Sequence, residues 1–253
     1  MSSIQKKSED SDSTPCDGYE RMGKNGNIEK YCSKHGFYVT GFCRGDFLLG
    51  ARTYINHECP QCAFEARFQR LFGRTAVPPR FAEKNFGNYE PKTDHQKVVF
   101  NALKEYGENI AEVVKLGRSL MLTGNAGTGK THLACSIIAE AIKQGYSALF
   151  TESSAFVRSI KDGWSERASE QEILDRYVNI DLLVIDEIGI GFKGDQNLLF
   201  TLINERYKRV KPTILLSNLK PAELLEFLGE RIVDRLRENG GKMYVFDWGS
   251  HRA

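Results

Sequence analysis

Two patterns of apolar residues alternate along the chain after residue 93. Short apolar runs, which are typical of strands buried in a parallel sheet, alternate with segments of helical apolar spacing. The predicted strands span residues 119–122, 147–150, 180–185, 213–216 and 243–246. The predicted helices span residues 94–105, 132–143, 155–160, 170–177, 198–207, 221–228 and 231–236. This alternation predicts an α/β domain with a mostly parallel sheet in a three-layer sandwich.

The chain before this domain has a different character. Residues 1–15 are rich in Ser, Asp, Glu and Lys and cannot bury enough apolar surface to fold, so we expect a disordered tail. Residues 16–75 are predicted to form a small module, because Cys, Gly and aromatic residues there precede an amphipathic stretch at 63–72. Pro78 and Pro79 cannot continue that helix, which predicts a linker over 76–93 and places the α/β domain over 94–253.

A phosphate-binding motif occupies the loop after the first predicted strand of the domain. Gly124 to Thr131 match G-x-x-x-x-G-K-[ST] in full, and the motif opens a predicted helix as this chemistry requires. Lys130 is expected to reach the β- and γ-phosphates of ATP, and the Thr131 hydroxyl to bind Mg²⁺. An incidental Gly-rich turn is the alternative, which the strand-loop-helix context disfavours. The predicted nucleotide-binding residues of this loop are Gly124, Asn125, Ala126, Gly127, Thr128, Gly129, Lys130 and Thr131.

Polar residues follow two further predicted strands, at the edge where α/β sheets bind their ligands. Asp186 and Glu187 come after 180–185. We expect Asp186 to hold Mg²⁺ and Glu187 to deprotonate the attacking water, which predicts a hydrolase. Asn218 follows 213–216 and is expected to contact the γ-phosphate or its water, with helix capping before Pro221 as the alternative. The order of these three motifs is the pattern of the AAA+ ATPase family.

Six segments of the chain are distinctive: PPRFAEKNFGNY, GNAGTGKTHLACSI, LLVIDEIG, TILLSN, LGERIVDRLRENG and FDWGSHR. Together they resemble the DnaC-type helicase loaders of bacteria and their phage and prophage relatives. The resemblance covers residues 75–253 well and the Cys-containing part more loosely. About 35 residues follow Asn218, too few for the helical lid of most AAA+ proteins, so we expect a minimal AAA+ core with no helical lid.

The resemblance implies two functional arginines. Arg235 matches the family's arginine finger, which would act on a neighbouring subunit and make ATP turnover depend on self-association. Arg231, one helical turn earlier, is the alternate candidate, and surface pairing with Glu230 or Asp234 is the structural alternative. Arg252 matches the family's second phosphate-sensing arginine.

Two pairs of potential metal ligands lie in the N-terminal module. The first pair is Cys32 and His35, and the second is Cys59 and Cys62. Two residues separate the members of each pair, which is the spacing of a tetrahedral structural Zn²⁺ site. The chain has six Cys and begins without a recognisable export signal, which favours metal or free thiols over disulfides. Unligated thiols remain an alternative. The competing ligands are Cys16, Cys43 and His57.

The resemblance also implies partners. A loader would bind a DnaB-type replicative hexameric helicase through residues 16–75 and touch single-stranded DNA with the ATPase core. The residues 156–164 hold candidates for the DNA contact, because aromatic and cationic side chains suit single strands. These candidates are Phe156, Arg158, Lys161 and Trp164. A core role for Phe156, with Arg158 and Lys161 merely solvated, is the alternative.

Composition limits the possible modes of nucleic-acid contact and the expected cellular location, but it does not decide the function. A formal net charge of +2 excludes nucleic-acid binding through an overall positive charge, so any contact with nucleic acid needs a local basic patch. A polar start and the lack of a run of about 18 apolar residues predict a cytoplasmic protein with no membrane partner. Two other functions stay open: a transposition regulator ATPase of the IstB type, and a zinc-dependent adaptor with a nucleotide switch.

Overall fold

The chain folds into two compact units, which divide between Gln69 and Arg70. The computed structural model describes residues 18–44, 51–163, 169–190 and 196–251. The division falls inside the helix that ends the first unit, rather than at residue 75 where the sequence placed it.

The first unit contains a four-stranded antiparallel sheet whose strands follow chain order. Its elements are β1 (Glu20–Met22), β2 (Asn27–Cys32), β3 (Gly36–Arg44), β4 (Ala51–Tyr54) and the start of α1 (Pro60–Phe72). A tight turn joins β2 to β3, and Gly36 supplies its left-handed residue at φ 75°. The sequence indicates a possible strand at residues 37–40, within β3, and most of α1, but not the other strands, which carry charged residues without clear alternation.

The second unit is built on a five-stranded parallel sheet in the order β6-β7-β8-β5-β9. Its strands are β5 (Leu120–Gly124), β6 (Ala148–Glu152), β7 (Leu182–Asp186), β8 (Thr213–Ser217) and β9 (Lys242–Phe246). Every residue of β5 and β8 is buried, as expected for strands covered on both faces. The order places β8 between β5 and β7, so the carboxyl ends of these three strands are neighbours.

Helices cover both faces of this sheet. They are α2 (Asp94–Glu108), α3 (Ile110–Leu116), α4 (Lys130–Lys143), α5 (Ser153–Gly163), α6 (Glu170–Val178), α7 (Gln196–Lys208), α8 (Pro221–Leu228) and α9 (Glu230–Arg237). On one face α4 contacts β6, β7 and β8, and α2 packs on α4. On the other, side chains of α5 to α9 form a buried cluster with alternate residues of β7, Leu183 and Ile185. The predicted three-layer α/β fold is therefore confirmed.

The predicted linker, residues 76–93, packs as part of the second unit. It forms two short 3-10 turns, Pro79–Phe81 and Phe86–Asn88, and buries the side chains of Phe86 and Tyr89. Just before it, the carbonyl of Thr75 accepts a hydrogen bond of 2.7 Å from the N–H of Phe150 in β6. The helix α1 ends at Phe72, six residues before Pro78, so the prolines are not what ends it, and the segment after them belongs to the fold rather than separating two parts.

The helix α3 was not predicted from the sequence. It is short, it begins directly after Asn109, and it ends at Gly117, which adopts φ 67°. Two valines and an isoleucine in seven residues give it weak helical propensity, so tertiary packing must stabilise it. Across the described ranges of the chain, no helix has both the length and the apolar character that crossing a membrane requires.

Candidate functional site

The phosphate-binding motif forms the turn between β5 and α4, as predicted. Gly124 and Gly129 adopt φ values of 124° and 98°, which residues with a β-carbon rarely reach. Both are also crowded: a β-carbon on Gly124 would meet the carbonyl oxygen of Phe246, and one on Gly129 would meet the ring of Tyr89. The loop therefore needs glycine here, both for its backbone turn and for its close neighbours.

Lys130 and Thr131 begin α4 and point towards the strand ends. The buried Lys130 Nζ donates hydrogen bonds to the carbonyls of Gly124 at 2.9 Å and Asn125 at 2.7 Å. Thr131 Oγ1 donates to Asp186 Oδ2 at 2.9 Å. The structure thus brings together the hydroxyl and the carboxylate predicted to hold Mg²⁺, although 55 residues separate them in sequence.

Glu187 lies directly beyond β7 in a left-handed backbone conformation, φ 60°. Its N–H donates to Asp186 Oδ1 at 2.7 Å, and its carbonyl accepts from Ser153 Oγ at 3.0 Å. Partial burial, followed by the charges of Glu152 and Asp186, raises the pKa of its carboxyl group. A carboxylate with a raised pKa is a better proton acceptor, which suits the role of general base.

The turn that carries Glu187 is also held from the β8 side. The N–H of Ile188 donates to the carbonyl of Leu216 at 2.9 Å, and Ser217 Oγ donates to the carbonyl of Ile188 at 2.6 Å. Asn218 follows Ser217 and is exposed. Because β8 lies between β5 and β7, Asn218 stands at the same sheet edge as the phosphate loop and Asp186.

Two aromatic residues that the sequence analysis did not single out bind the phosphate loop. The carbonyl of Thr128 accepts hydrogen bonds from the Tyr89 hydroxyl at 3.2 Å and from Trp248 Nε1 at 3.0 Å. The N–H of His251 donates to the carbonyl of Gly127 at 2.9 Å, which ties the C-terminal segment to the same loop. Motif spacing could not reveal these contacts, because each joins the loop to a residue far away in sequence.

The predicted arginine finger lies away from this loop, on α9. The Arg235 guanidinium donates to Asn204 Oδ1 and sits 5.1 Å from the centroid of the Tyr207 ring. Arg231, the alternate candidate, is exposed. An arginine that acts on a neighbouring copy need not lie near the phosphate loop of its own chain. Arg252 lies outside the described residues.

The four predicted metal ligands come together in the first unit. The ligand atoms of Cys32, His35, Cys59 and Cys62 all lie within 4.8 Å of one another. Cys32 ends β2 and His35 ends the following turn, while Cys59 and Cys62 flank the first residues of α1. The competing ligands Cys43 and His57 do not belong to this group, and Cys16 lies outside the described residues.

The chemistry of this cluster suits a cation that binds thiolates and imidazole. The backbone N–H of Lys34 hydrogen-bonds the Cys32 thiol and lowers its pKa to about 7. The hydrogen bond with Cys32 raises the pKa of His35 and raises that of Cys62 to about 11. Zn²⁺ would displace the protons of these groups on binding, since zinc binds deprotonated Cys and neutral His.

The suggested DNA-contact helix is only partly consistent with its prediction. Phe156 is fully buried and packs edge-on against Tyr177 at 4.9 Å between ring centroids, so it cannot stack on a base. This part of the prediction was wrong, because Phe156 occupies the apolar face of α5. Arg158 and Lys161 are exposed, and Trp164 lies outside the described residues.

The chain is similar to known proteins over most of its length. The family model described as IstB-like ATP binding protein matches residues 88–239, more than half of the chain. The "Replicative helicase loader DnaC" of Escherichia coli (strain K12) is 32% identical over 190 residues, 74% of this chain and 76% of the relative.

Solved structures agree with this assignment. The crystal structure of the DnaC helicase loader has a TM-score of 0.59 and 26% identity, covering 66% of this chain and 99% of that chain. The structure of AMPPCP-bound DnaA from Aquifex aeolicus has a TM-score of 0.54 and 25% identity, covering 67% of this chain and 51% of that chain. With its sheet order and its phosphate loop, the chain belongs to the IstB/DnaC family of AAA+ ATPases.

Proposed function

We propose that the chain is an ATP-dependent loader that binds a DnaB-type replicative helicase and helps to place it on single-stranded DNA in replication initiation. The observation that carries this proposal is the similarity to proteins named as replicative helicase loaders over 74% of the chain. The nucleotide site supports it, since the described residues proposed for ATP hydrolysis lie at one sheet edge or, for Arg235, on α9.

Each residue of the nucleotide site has a proposed task. Lys130 would turn from its two carbonyl partners to the β- and γ-phosphates, and Thr131 with Asp186 would hold Mg²⁺. Mg²⁺, when bound, supplies positive charge that stabilises the negative charge developing on the phosphate oxygens. Glu187 would accept the proton of the attacking water, and Asn218 would position that water or the γ-phosphate.

Hydrolysis is proposed to depend on self-association. Arg235 would reach the γ-phosphate bound to a neighbouring copy, because an arginine supplied in trans stabilises the charge of the transferring group. Its contacts with Asn204 and Tyr207 orient the side chain before assembly. Arg252 is proposed as a further contact to the bound nucleotide. ATP would therefore favour the assembled state and hydrolysis would release it.

The first unit is proposed to grip the helicase. Its cluster of Cys32, His35, Cys59 and Cys62 would hold a structural Zn²⁺, since four protein ligands leave no open position for chemistry. When bound, Zn²⁺ supplies folding free energy to a small unit that has few apolar residues to bury. Removal of the metal would then abolish binding to the helicase, whereas ATP binding in the second unit would remain.

One observation favours a second candidate. The matching family model takes its name from IstB, and a transposition regulator of that type would act with a transposase instead of a helicase. A zinc-dependent adaptor with a nucleotide switch is a third candidate, which the complete set of hydrolytic residues disfavours. Identification of the partner separates these functions, because their nucleotide sites would be alike.

The test is co-purification of the full chain with the replicative hexameric helicase of its source organism, with and without ATP. We expect a stable complex for the wild type and for Lys130→Ala, and loss of the complex for Cys59→Ser. Cys43→Ser is the matched control, because it makes the same change in the same unit outside the metal cluster. No complex under any condition would exclude the loader and favour the transposition-type ATPase.

A further inference from the structure

The two ring nitrogens of His35 have different surroundings. Nδ1 faces the thiols, at 3.3 Å from Sγ of Cys62, 3.6 Å from that of Cys59 and 3.8 Å from that of Cys32. Nε2 points the other way and lies 3.1 Å from Glu65 Oε1. The ring therefore lies between the cluster and a carboxylate, with one nitrogen directed at each.

Glu65 is placed by the same helix that carries a ligand. Cys62 and Glu65 are three residues apart in α1, so their side chains lie on one face of the helix. Glu65 also forms an ion pair with Lys34, which precedes His35 in the turn between β2 and β3. The carboxylate thus bridges the two chain segments that supply the ligands.

We propose that Glu65 is the positioning carboxylate of the zinc centre, an inference that rests on the proposed zinc site. By accepting a hydrogen bond from Nε2–H of His35, Glu65 fixes the tautomer that leaves the Nδ1 lone pair for the metal. A carboxylate in this position also holds the ring orientation and increases the basicity of the ligand. His35 is then an Nδ1 ligand.

Lys34 has the supporting part in this arrangement. Three thiolates and one imidazole leave a zinc centre with net negative charge, which the Glu65 carboxylate increases. The Lys34 ammonium, paired with that carboxylate, reduces the excess charge. A surface ion pair alone contributes little to stability, and the Lys34 side chain is 64% exposed. The effect of Glu65 should therefore come mainly through His35, whose side chain is only 16% exposed.

Competition for Zn²⁺ between the full chain and a metallochromic chelator tests this inference. We expect Glu65→Ala to lower the zinc affinity by about 10- to 100-fold, the usual effect of removing such a carboxylate. Glu65→Gln keeps an acceptor oxygen without the charge and should fall between Glu65→Ala and the wild type. Lys34→Met should change the affinity less than Glu65→Ala does. Glu29→Ala, which removes a partly exposed glutamate paired with Arg21 in the same unit, should leave the zinc affinity unchanged.

A second measurement reads the tautomer directly in the zinc-loaded wild type. Proton–nitrogen correlation spectra of the imidazole should show a metal-bound Nδ1 and a protonated Nε2. A metal-bound Nε2, or a Glu65→Ala affinity within twofold of the wild type, would overturn the role of Glu65 while leaving the zinc site in place. A wild-type chain that binds no zinc would overturn the zinc site and this inference together.

Discussion

Glu187 shows how a single residue is held in a costly conformation. A left-handed backbone costs a residue with a β-carbon about 1–2 kcal/mol, and Glu187 adopts φ 60°. A hydrogen bond from Ser153 at the start of α5 and one from the N–H of Ile188 to Leu216 in β8 hold the turn and offset that cost. Such strain is concentrated at functional sites. This turn places Glu187 directly beyond the end of β7, at the carboxyl edge of the sheet.

Removing the proton-accepting carboxylate should separate binding from hydrolysis. We expect Glu187→Gln to lower the ATP hydrolysis rate by about 10²- to 10⁴-fold, because an amide cannot accept the proton of the attacking water. ATP affinity should stay within about threefold, since Lys130 and Thr131 remain. Phosphate-release kinetics and titration with a fluorescent nucleotide measure the two effects. Hydrolysis by Glu187→Gln at near wild-type rate would exclude Glu187 as the base.

The pH dependence of hydrolysis follows from the same residue. Partial burial and the charges of Glu152 and Asp186 raise the pKa of Glu187, and only its ionised form can accept a proton. The rate should therefore fall with decreasing pH, starting at a higher pH than for an ordinary glutamate. Glu152→Gln removes one of the charges that raise this pKa, so it should shift the acidic limb of kcat to lower pH. An unchanged limb would contradict this coupling.

At the scale of elements, Arg206 joins two helices and two strands. Its side chain is fully buried in α7, and burial lowers its pKa to about 9. The guanidinium donates to the carbonyls of Tyr177 and Val178 at the end of α6, of Ile180 beyond it and of Pro212, and to the hydroxyl of Thr213 at the start of β8. The Arg206 guanidinium thus supplies hydrogen-bond donors to backbone carbonyls where several elements begin or end, including the last carbonyls of α6.

Loss of this guanidinium should strongly destabilise the second unit. We expect Arg206→Met to lower the free energy of unfolding of the second unit by about 3–5 kcal/mol, because it leaves several buried carbonyls without donors. Arg209→Met is the control: Arg209 pairs with Asp175 at 3.1 Å on the surface, and its loss should cost less than about 1 kcal/mol. Urea denaturation monitored by circular dichroism compares the two. Equal losses would show that Arg206 has no special structural role.

The phosphate loop depends on two distant segments, one before α2 and one after β9. Tyr89 and Trp248 both donate to the carbonyl of Thr128, and the stacked ring of Phe100 supports Tyr89 at 5.7 Å. These bonds hold the loop in shape before the nucleotide arrives. A preformed loop loses less conformational entropy on binding, which increases affinity.

Removal of one of these bonds should weaken nucleotide binding moderately. We expect Tyr89→Phe to raise the ATP dissociation constant by about twofold to tenfold, since one hydrogen bond contributes about 0.5–1.5 kcal/mol. Tyr146→Phe makes the same change beyond the other end of α4 and should have no effect. Titration with a fluorescent ATP analogue measures both variants. An unchanged constant for Tyr89→Phe would show that the loop keeps its shape without this bond.

At the scale of the whole molecule, local sequence patterns predicted secondary structure and motifs, whereas the packing between distant segments was not predicted. In the second unit the order of helices and strands, apart from α3, followed from periodicity, and the phosphate loop and Asp186 followed from motif spacing. The order of strands in the sheet did not, because β5 pairs with β8 and β9 across long stretches of sequence. Helical spacing left open whether Phe156 lies in the core or contacts DNA, and the structure buries it. Most strands of the first unit were not predicted, because metal ligands and turns, rather than apolar alternation, define them.

The central claim concerns the transfer of a helicase to DNA, which a closed circular single strand tests most directly. The replicative hexameric helicase of the source organism is incubated with this circle, and the helicase retained after a high-salt wash is measured. We predict that wild-type protein with ATP increases retention severalfold over helicase alone, and that Cys59→Ser does not. If retention is the same with and without the wild-type protein, the chain is not a helicase loader.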